Sequence, residues 1–382
     1  MEYRNLGDTG LKVSVISMGC EGFDGKSEEE TTSDLSYLLD RGLNFIDIYS
    51  PEPELRKHIS AAYKNRRHEI ILQSHLCAVM IKDQYKRTRD IKLVKSGFET
   101  MLKQLDTDYI DVGMIHYVDS LEDWNAIENG PIREYAEQMK TEGKILHLGM
   151  SSHNPQVAIK AARSGFIEVI LFSINPCYDM QPAGEDVEQL WADESYDHTL
   201  HNQDSERKIF YELCESKGIG IDVMKTFGGG DILSEKMSPF GKAFTPVQCI
   251  HYALTRPAVA AVMLGCKTQA EWDSAIAYCE ATDAAKDYAE ALTGMDKFTF
   301  EGHCMYCGHC APCPVSIDVA AVTKFLNLTI AEGMIPETVR EHYQLLKHHA
   351  SECIACGSCE RNCPFNVQII ENMKKAAEVF GL

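Results

Sequence analysis

The sequence predicts an α/β fold: a (β/α)8 barrel followed by a small, mostly helical domain rich in cysteine. Three observations carry this expectation. Between residue 13 and about residue 282, short apolar runs alternate with amphipathic ones eight times, which reads as successive βαβ units around a parallel sheet. Eight such units match the size of a closed barrel of roughly 250 residues. No Gly-x-Gly-x-x-Gly turn follows the first strand-like run, so a doubly wound sheet lacks its usual fingerprint. Beyond residue 283 the pattern changes, and eight of the fifteen cysteines gather in two runs. The expected domains are therefore 1–282 and 283–382.

The strand-like runs are 13–19, 44–49, 69–75, 109–117, 145–151, 168–174, 219–225 and 259–265. Helical patterns lie near 30–42, 53–65, 90–105, 131–142, 155–164, 205–217, 245–256 and 268–282. A long acidic, aromatic-bearing connection, 177–204, follows the sixth strand. In a barrel it leaves the C-terminal face, where active sites lie, so it reads either as a lid or as a surface excursion. Residues 283–300 read as a polar helix entering the cysteine domain, with further helices at 317–331 and 337–349.

The first cysteine run is Cys304, Cys307, Cys310 and Cys313, and the second is Cys353, Cys356, Cys359 and Cys363; a proline follows each. A cubane iron–sulfur cluster needs four thiolates, which bacterial ferredoxins supply as C-x-x-C-x-x-C-x-x-x-C-P. The second run has that spacing, and the first is one residue shorter before its last cysteine. Structural zinc would use two separated pairs and has no use for a third close cysteine. A disulfide framework needs an oxidising compartment, and the N-terminus has no secretory pattern. Two [4Fe–4S] clusters are therefore expected. In two-cluster ferredoxins the fourth cysteine crosses over, giving Cys304, Cys307, Cys310 and Cys363 for one set and Cys353, Cys356, Cys359 and Cys313 for the other. The helices between the runs suit an α-helical ferredoxin-like domain.

Composition narrows the partners. The chain of 382 residues is 45% hydrophobic and 25% charged, as a soluble globular protein is. Its net charge of −20 argues against nucleic acid, and no apolar stretch reaches the roughly 20 residues that span a bilayer. A cytoplasmic protein acting on a small molecule, with a redox partner protein as a further candidate, is the expectation. The other seven cysteines have no ligand spacing and read as packed thiols.

Several segments carry a resemblance: MEYRNLGDTGLKVSVISMG at the start, then GLNFIDIY, DYIDVGMIHYVD, GKILHLGMSSHNP, INP and TPVQCIHYALTRPAVAAVMLGCKT. In this order they resemble the aldo/keto reductase superfamily, specifically its branch with a C-terminal ferredoxin module. The resemblance implies NAD(P)H-linked carbonyl reduction, with a Tyr proton donor tuned by Lys, Asp and His. Asp47 and His116 match the family's motifs. His75 stands where the family has Lys, and a histidine can also hold or move a proton near neutral pH. The family's Tyr position falls in Asp47-Ile48-Tyr49-Ser50-Pro51-Glu52-Pro53, which has no tyrosine at that spacing. Tyr49, two residues from Asp47, points to the same side by strand alternation and becomes the candidate. Alternative readings stand beside these roles: Asp47 as a helix cap, and Tyr49 and the histidines as packed core. His153 and Lys225 belong to the same face.

For the cofactor, Ser151 and Ser152 match the family's carboxamide-binding turn, whereas Leu171 replaces its Gln. Gly265 and Lys267 fit a phosphate-binding loop, but Glu271 lies near the place of the Arg that marks a 2′-phosphate. Nicotinamides move two electrons as hydride and each cluster moves one, so direct coupling needs a flavin or a radical-tolerant substrate between them. Three readings stay open: hydride chemistry beside structural clusters, a cluster-fed one-electron reductase, and an electron carrier on a degenerate barrel.

Overall fold

Eight parallel strands close into a barrel: β1 (Ile16–Gly19), β2 (Phe45–Ile48), β3 (Ile71–Leu76), β4 (Ile110–Ile115), β5 (Ile145–Ser152), β6 (Val169–Ser173), β7 (Gly220–Met224) and β8 (Val259–Leu264). The computed structural model describes every residue except 83, 186–189, 191–194, 196–199, 294–297, 300, 301, 303 and 333. Phe45, Val112, Met114, Val169, Leu171, Ala261 and Met263 pack together inside the ring. The run at 13–19 divides. Lys12–Ser14 pairs antiparallel with Tyr3–Asn5, and only Ile16–Gly19 joins the barrel. Leu6 and Val13 of this hairpin join the interior cluster, and Asp8 N donates to Gly218 O at 2.7 Å, so the hairpin closes the N-terminal end.

The surrounding helices are α1 (Glu28–Asp40), α2 (Pro53–Tyr63), α3 (Ile91–Gln104), α4 (Pro131–Thr141), α5 (Pro155–Arg163), α6 (Ser205–Ser216), α7 (Pro246–Leu254) and α8 (Gln269–Ile276). Their starts are written locally. Ser27 with Glu30, Thr245 with Gln248 and Thr268 with Glu271 form capping boxes, and α2, α4, α5 and α7 carry proline in the first turn. Elements absent from the sequence expectation include the helix Leu121–Glu128, an antiparallel hairpin, Ala78–Ile81 with Gln84–Arg87, between β3 and α3, and the last helix, Ile369–Phe380.

Two helical expectations need correction. The single helix at 283–300 is instead two four-residue turns, Asp283–Lys286 and Ala289–Leu292. Tyr288 between them is fully buried, and its hydroxyl donates to Met305 O at 2.6 Å, so a packed side chain interrupts the run. The helix expected to reach 349 ends at Gln344, because the Tyr343 hydroxyl takes the Ala350 amide at 3.0 Å and the chain turns there. Residues 186–189, 191–194 and 196–199 of the 177–204 connection lie outside the described residues, and with them its lid expectation. The cysteine domain packs its first long helix, α9 (Val319–Glu332), against α6 and against the last helix, α10 (Ile369–Phe380). Among the described residues no helix is long and apolar enough to cross a membrane.

Candidate functional site

Asp47 is on β2, His75 is on β3 and His116 follows β4 directly, so three adjacent strands deliver polar side chains to the C-terminal mouth of the barrel. They meet as a chain. His75 Nε2 lies 3.0 Å from Asp47 Oδ1, and His75 Nδ1 lies 2.8 Å from His116 Nδ1. His116 Nε2 in turn lies 2.7 Å from the hydroxyl of Tyr85. Asp47, His75 and His116 are buried, whereas Tyr85 is 51% exposed. Burial, and then the neighbouring His75, hold the His116 imidazole well below its usual range, so it is neutral near pH 7.

With one proton on each ring, the partners fix the tautomers. The Asp47 carboxylate can only accept, so His75 Nε2 carries its proton and His75 Nδ1 is bare. His116 Nδ1–H then donates to it, which leaves His116 Nε2 to accept from the Tyr85 O–H. Every bond in the chain points the same way, from Tyr85 toward Asp47.

These groups line a cavity of about 440 Å³. Gly19, Glu21, Tyr49 and Gly265 form one side and Tyr117, Ser151, His153 and Leu171 another, with Met224, Lys225 and Met263 completing it. Tyr49 shares the cavity with Asp47 as alternation implies. Its ring stacks parallel to that of His116 with centroids 6.0 Å apart, but its hydroxyl donates to Glu21 Oε1 at 3.2 Å. Burial and then Glu21 raise its pKa. His153 is turned to Asp119, with Nδ1 2.9 Å from Oδ2.

Tyr85 comes from the hairpin after β3. Lys82 in its turn takes φ +53°, and Tyr85 and Arg87, two residues apart, share one face. Arg87 donates to Tyr117 O at 3.0 Å and lies over the Tyr117 ring, while Arg89 donates to the same carbonyl and to Asp123. These bonds tie the hairpin to the rim. Burial raises the Tyr85 hydroxyl's pKa, and Arg87 and Arg89 offset part of that rise.

One layer deeper in the barrel, Gln73 Nε2 donates to Asp222 Oδ2 at 2.7 Å. Burial pushes the Asp222 carboxyl up to about 8.

The cysteines assemble as two crossed sets. Cys304, Cys307, Cys310 and Cys363 line one cavity, and Cys313, Cys353, Cys356 and Cys359 line another. Each set brings together four thiols, the number that a cubane cluster takes. Arg256 is buried beside the first set, donating to Met305 O and, at 3.2 Å, to the Tyr288 hydroxyl. Its Nε and Nη1 have no protein acceptor, as donors facing cluster sulfides would. Arg256 sits on the turn before β8, at the N-terminal end of the barrel. Lys324 of α9 pairs at 2.8 Å with Glu215 near the C-terminal end of α6, at that same end. The cysteine domain therefore meets the barrel opposite the mouth that holds Asp47, His75 and His116. The six residues of β8 alone cover about 17 Å of strand.

The model of the aldo/keto reductase family matches residues 15–248. The chain belongs to the aldo/keto reductase family. A 4Fe-4S dicluster domain follows at residues 302–367. Among curated relatives, the aldo-keto reductase YhdN of Bacillus subtilis is 28% identical over 40% of this chain, a match that spans 47% of that relative. The uncharacterized oxidoreductase YqkF of the same organism is 25% identical over 69% of this chain and 87% of its own length. Aldo-keto reductase AKR11C1 from Bacillus halodurans, in its holo form, shares the fold with a TM-score of 0.58, at 22% identity over 74% of this chain and 92% of that one.

In this aldo/keto reductase barrel, the nicotinamide-side expectations divide. Ser151 lines the cavity and accepts the Tyr117 amide at 2.8 Å. Ser152 does not line it: fully buried, it donates to Asp119 at 3.0 Å and braces the strand end. Gly265 lines the cavity, but the expected phosphate loop beyond it is occupied from within. Glu271 Oε2 accepts the amides of Lys267 at 2.6 Å and Thr268 at 3.3 Å, so a carboxylate holds donors that a phosphate would use. Sequence reasoning missed Tyr85 and Glu21. The available signal for Tyr85 was the connection from Cys77 to Asp90, longer than the usual two to six residues or so.

Proposed function

We propose that the barrel catalyses nicotinamide-linked reduction of a carbonyl, or the reverse oxidation, on a small organic substrate. The observation that carries this reading is the hydrogen-bonded chain from Asp47 through His75 to His116, ending in a cavity bounded by Ser151 and Gly265. A nicotinamide, when bound, supplies or takes hydride. The chain's own residues hold the carbonyl at the mouth, move a proton to or from its oxygen and exclude water. Ser151, Leu171 and Gly265 would face the cofactor. Glu271 at the loop disfavours a 2′-phosphate, so NADH is the better candidate than NADPH.

The two crossed cysteine sets would each hold a [4Fe–4S] cluster, in a unit of residues 283–382 behind a barrel of residues 1–282. Their place at the N-terminal end of the barrel supports electron exchange with a redox partner, or a structural role, over direct supply to the pocket. The cluster-fed alternative needs a carrier through the barrel, such as a flavin. A cytoplasmic setting suits fifteen cysteines kept as thiols or ligands. Titrating anaerobic, cluster-loaded protein with NADH and NADPH tests the reading. Quenched protein fluorescence and turnover of simple aldehydes or ketones are expected, and failure of both nucleotides to bind would overturn it.

A further inference from the structure

We propose that Tyr85, carried on the Ala78–Arg87 hairpin, is the acid–base catalyst of the pocket, taking the place that the β2 loop leaves empty. The inference rests on the hydride-transfer reading above. Two tyrosine hydroxyls of known partner face this cavity, and they differ in what stands behind them. That of Tyr49 donates to the Glu21 carboxylate, which cannot replace a lost proton unless it is itself protonated. That of Tyr85 is bonded to His116, and through His75 to Asp47, which is a line along which a proton can shift. Tyr85 is also half exposed at the rim, where a substrate oxygen can reach it.

The step balances in both directions. In reduction, hydride brings two electrons to the carbonyl carbon, the C=O π bond breaks, and its oxygen takes the Tyr85 proton. His116 Nε2, protonated beforehand, returns a proton to the tyrosinate. In oxidation, Tyr85 takes the alcohol proton while its own passes to His116 Nε2, and the Asp47 carboxylate balances the imidazolium charge through His75. The neutral chain, with every donor directed toward Asp47, is set to receive a proton. The same chain with one proton more is set to deliver it. Arg87 on the hairpin and Arg89 just beyond it favour the tyrosinate, as a lysine next to a catalytic tyrosine would.

The test compares Tyr85→Phe with wild type by turnover, by nucleotide binding and by the ¹⁵N spectrum of the histidines in the cluster-loaded full chain. Turnover should fall by about 10²- to 10⁴-fold, the usual contribution of a positioned acid or base. NADH binding should stay within a few-fold, and the His116 Nε2 signal should move on losing its donor. The pH limb that wild type shows in reduction should vanish, which a purely structural tyrosine would not cause. Wild-type turnover that survives in Tyr85→Phe would overturn the inference and leave the hydride reading intact. A wild type without nicotinamide-linked turnover would overturn that reading instead. An unmoved His116 signal would sink the Tyr85–His116 link in either case.

Discussion

His75 and His116 face each other Nδ1 to Nδ1 at 2.8 Å, and that contact joins two side chains from neighbouring strands in one hydrogen-bonded line. Only one of the two Nδ1 atoms carries the proton between them, so the tautomer of one ring sets that of the other. A lysine at position 75 would donate to its neighbours but could not pass a proton through itself by exchanging ring nitrogens. Histidine where the resemblance expects lysine would suit the proposed relay, since it can take a proton at one ring nitrogen and release one at the other.

Removing either inner member should break that relay. Asp47→Asn frees His75 to adopt the opposite tautomer, and His75→Ala cuts the line. Both should lower turnover by about 10²-fold or more, with nucleotide binding retained. The stability cost should be about 1–3 kcal/mol, as for a buried hydrogen bond to a charged group. Steady-state kinetics with a denaturation curve for each variant checks this, and full activity in both would misplace the site.

The pH dependence follows from His116, whose burial and proximity to His75 keep it neutral until well below its usual range. The groups around it are His75, with Asp47 behind it, from inside, Tyr49, Tyr85 and Tyr117 at its ring, and Arg87, Arg89 and His153 at the rim. Reduction needs the extra proton, so its kcat/KM should fall as pH rises through the acid range. Oxidation needs the empty site, so it should rise over the same window and level off toward neutrality. A single break near the tyrosine range, about pH 10, would contradict this assignment.

Asp222 gives a stability signature separate from catalysis. Its folded pKa is pushed up to about 8, against about 4 in an unfolded chain. Below about pH 4 both states hold the proton; between about 4 and 8 only the folded state does. Stability therefore declines across that window and then stays level. Asp222→Asn, which retains a carbonyl for Gln73, should remove the decline and raise the melting temperature at pH 8 more than at pH 4. Equal shifts at both values would show that Asp222 is not protonated in the fold.

Crossing of the cysteine sets can be separated from simple pairing. Cys363→Ser should alter the spectrum of the cluster held by Cys304, Cys307 and Cys310, although it belongs to the second run in sequence. Arg256→Met should make that same cluster harder to reduce, since a buried cation and its N–H donors leave the sulfurs. An EPR-monitored redox titration checks both. A change confined to the other cluster would refute the crossed sets.

Much of this was legible in the sequence because the barrel repeats a simple rule. All eight strand-like runs became barrel strands, the first after shedding its hairpin portion, and Asp47, His75 and His116 arrived together at their ends. The grouping of the cysteines around two cavities follows the ferredoxin rule that the fourth cysteine of each run crosses over. Tyr85 was not legible, because a hairpin inserted between strand and helix carries no periodic signal that says where its face will land. Tyr49 was placed in the right cavity, but its hydroxyl partner, Glu21, comes from another loop and follows no sequence rule. The loop at Lys267 read as a phosphate site until Glu271 was seen to fill it from the next turn of chain.

The central claim is that hydride chemistry at the mouth of the barrel proceeds apart from the clusters at its other end. Anaerobic stopped-flow absorbance during a single turnover, with cluster-loaded protein, NADH and a carbonyl substrate, tests it most directly. The expected result is loss of the nicotinamide absorbance at the turnover rate while the cluster absorbance stays constant. Cluster bleaching that keeps pace with each turnover would contradict the account.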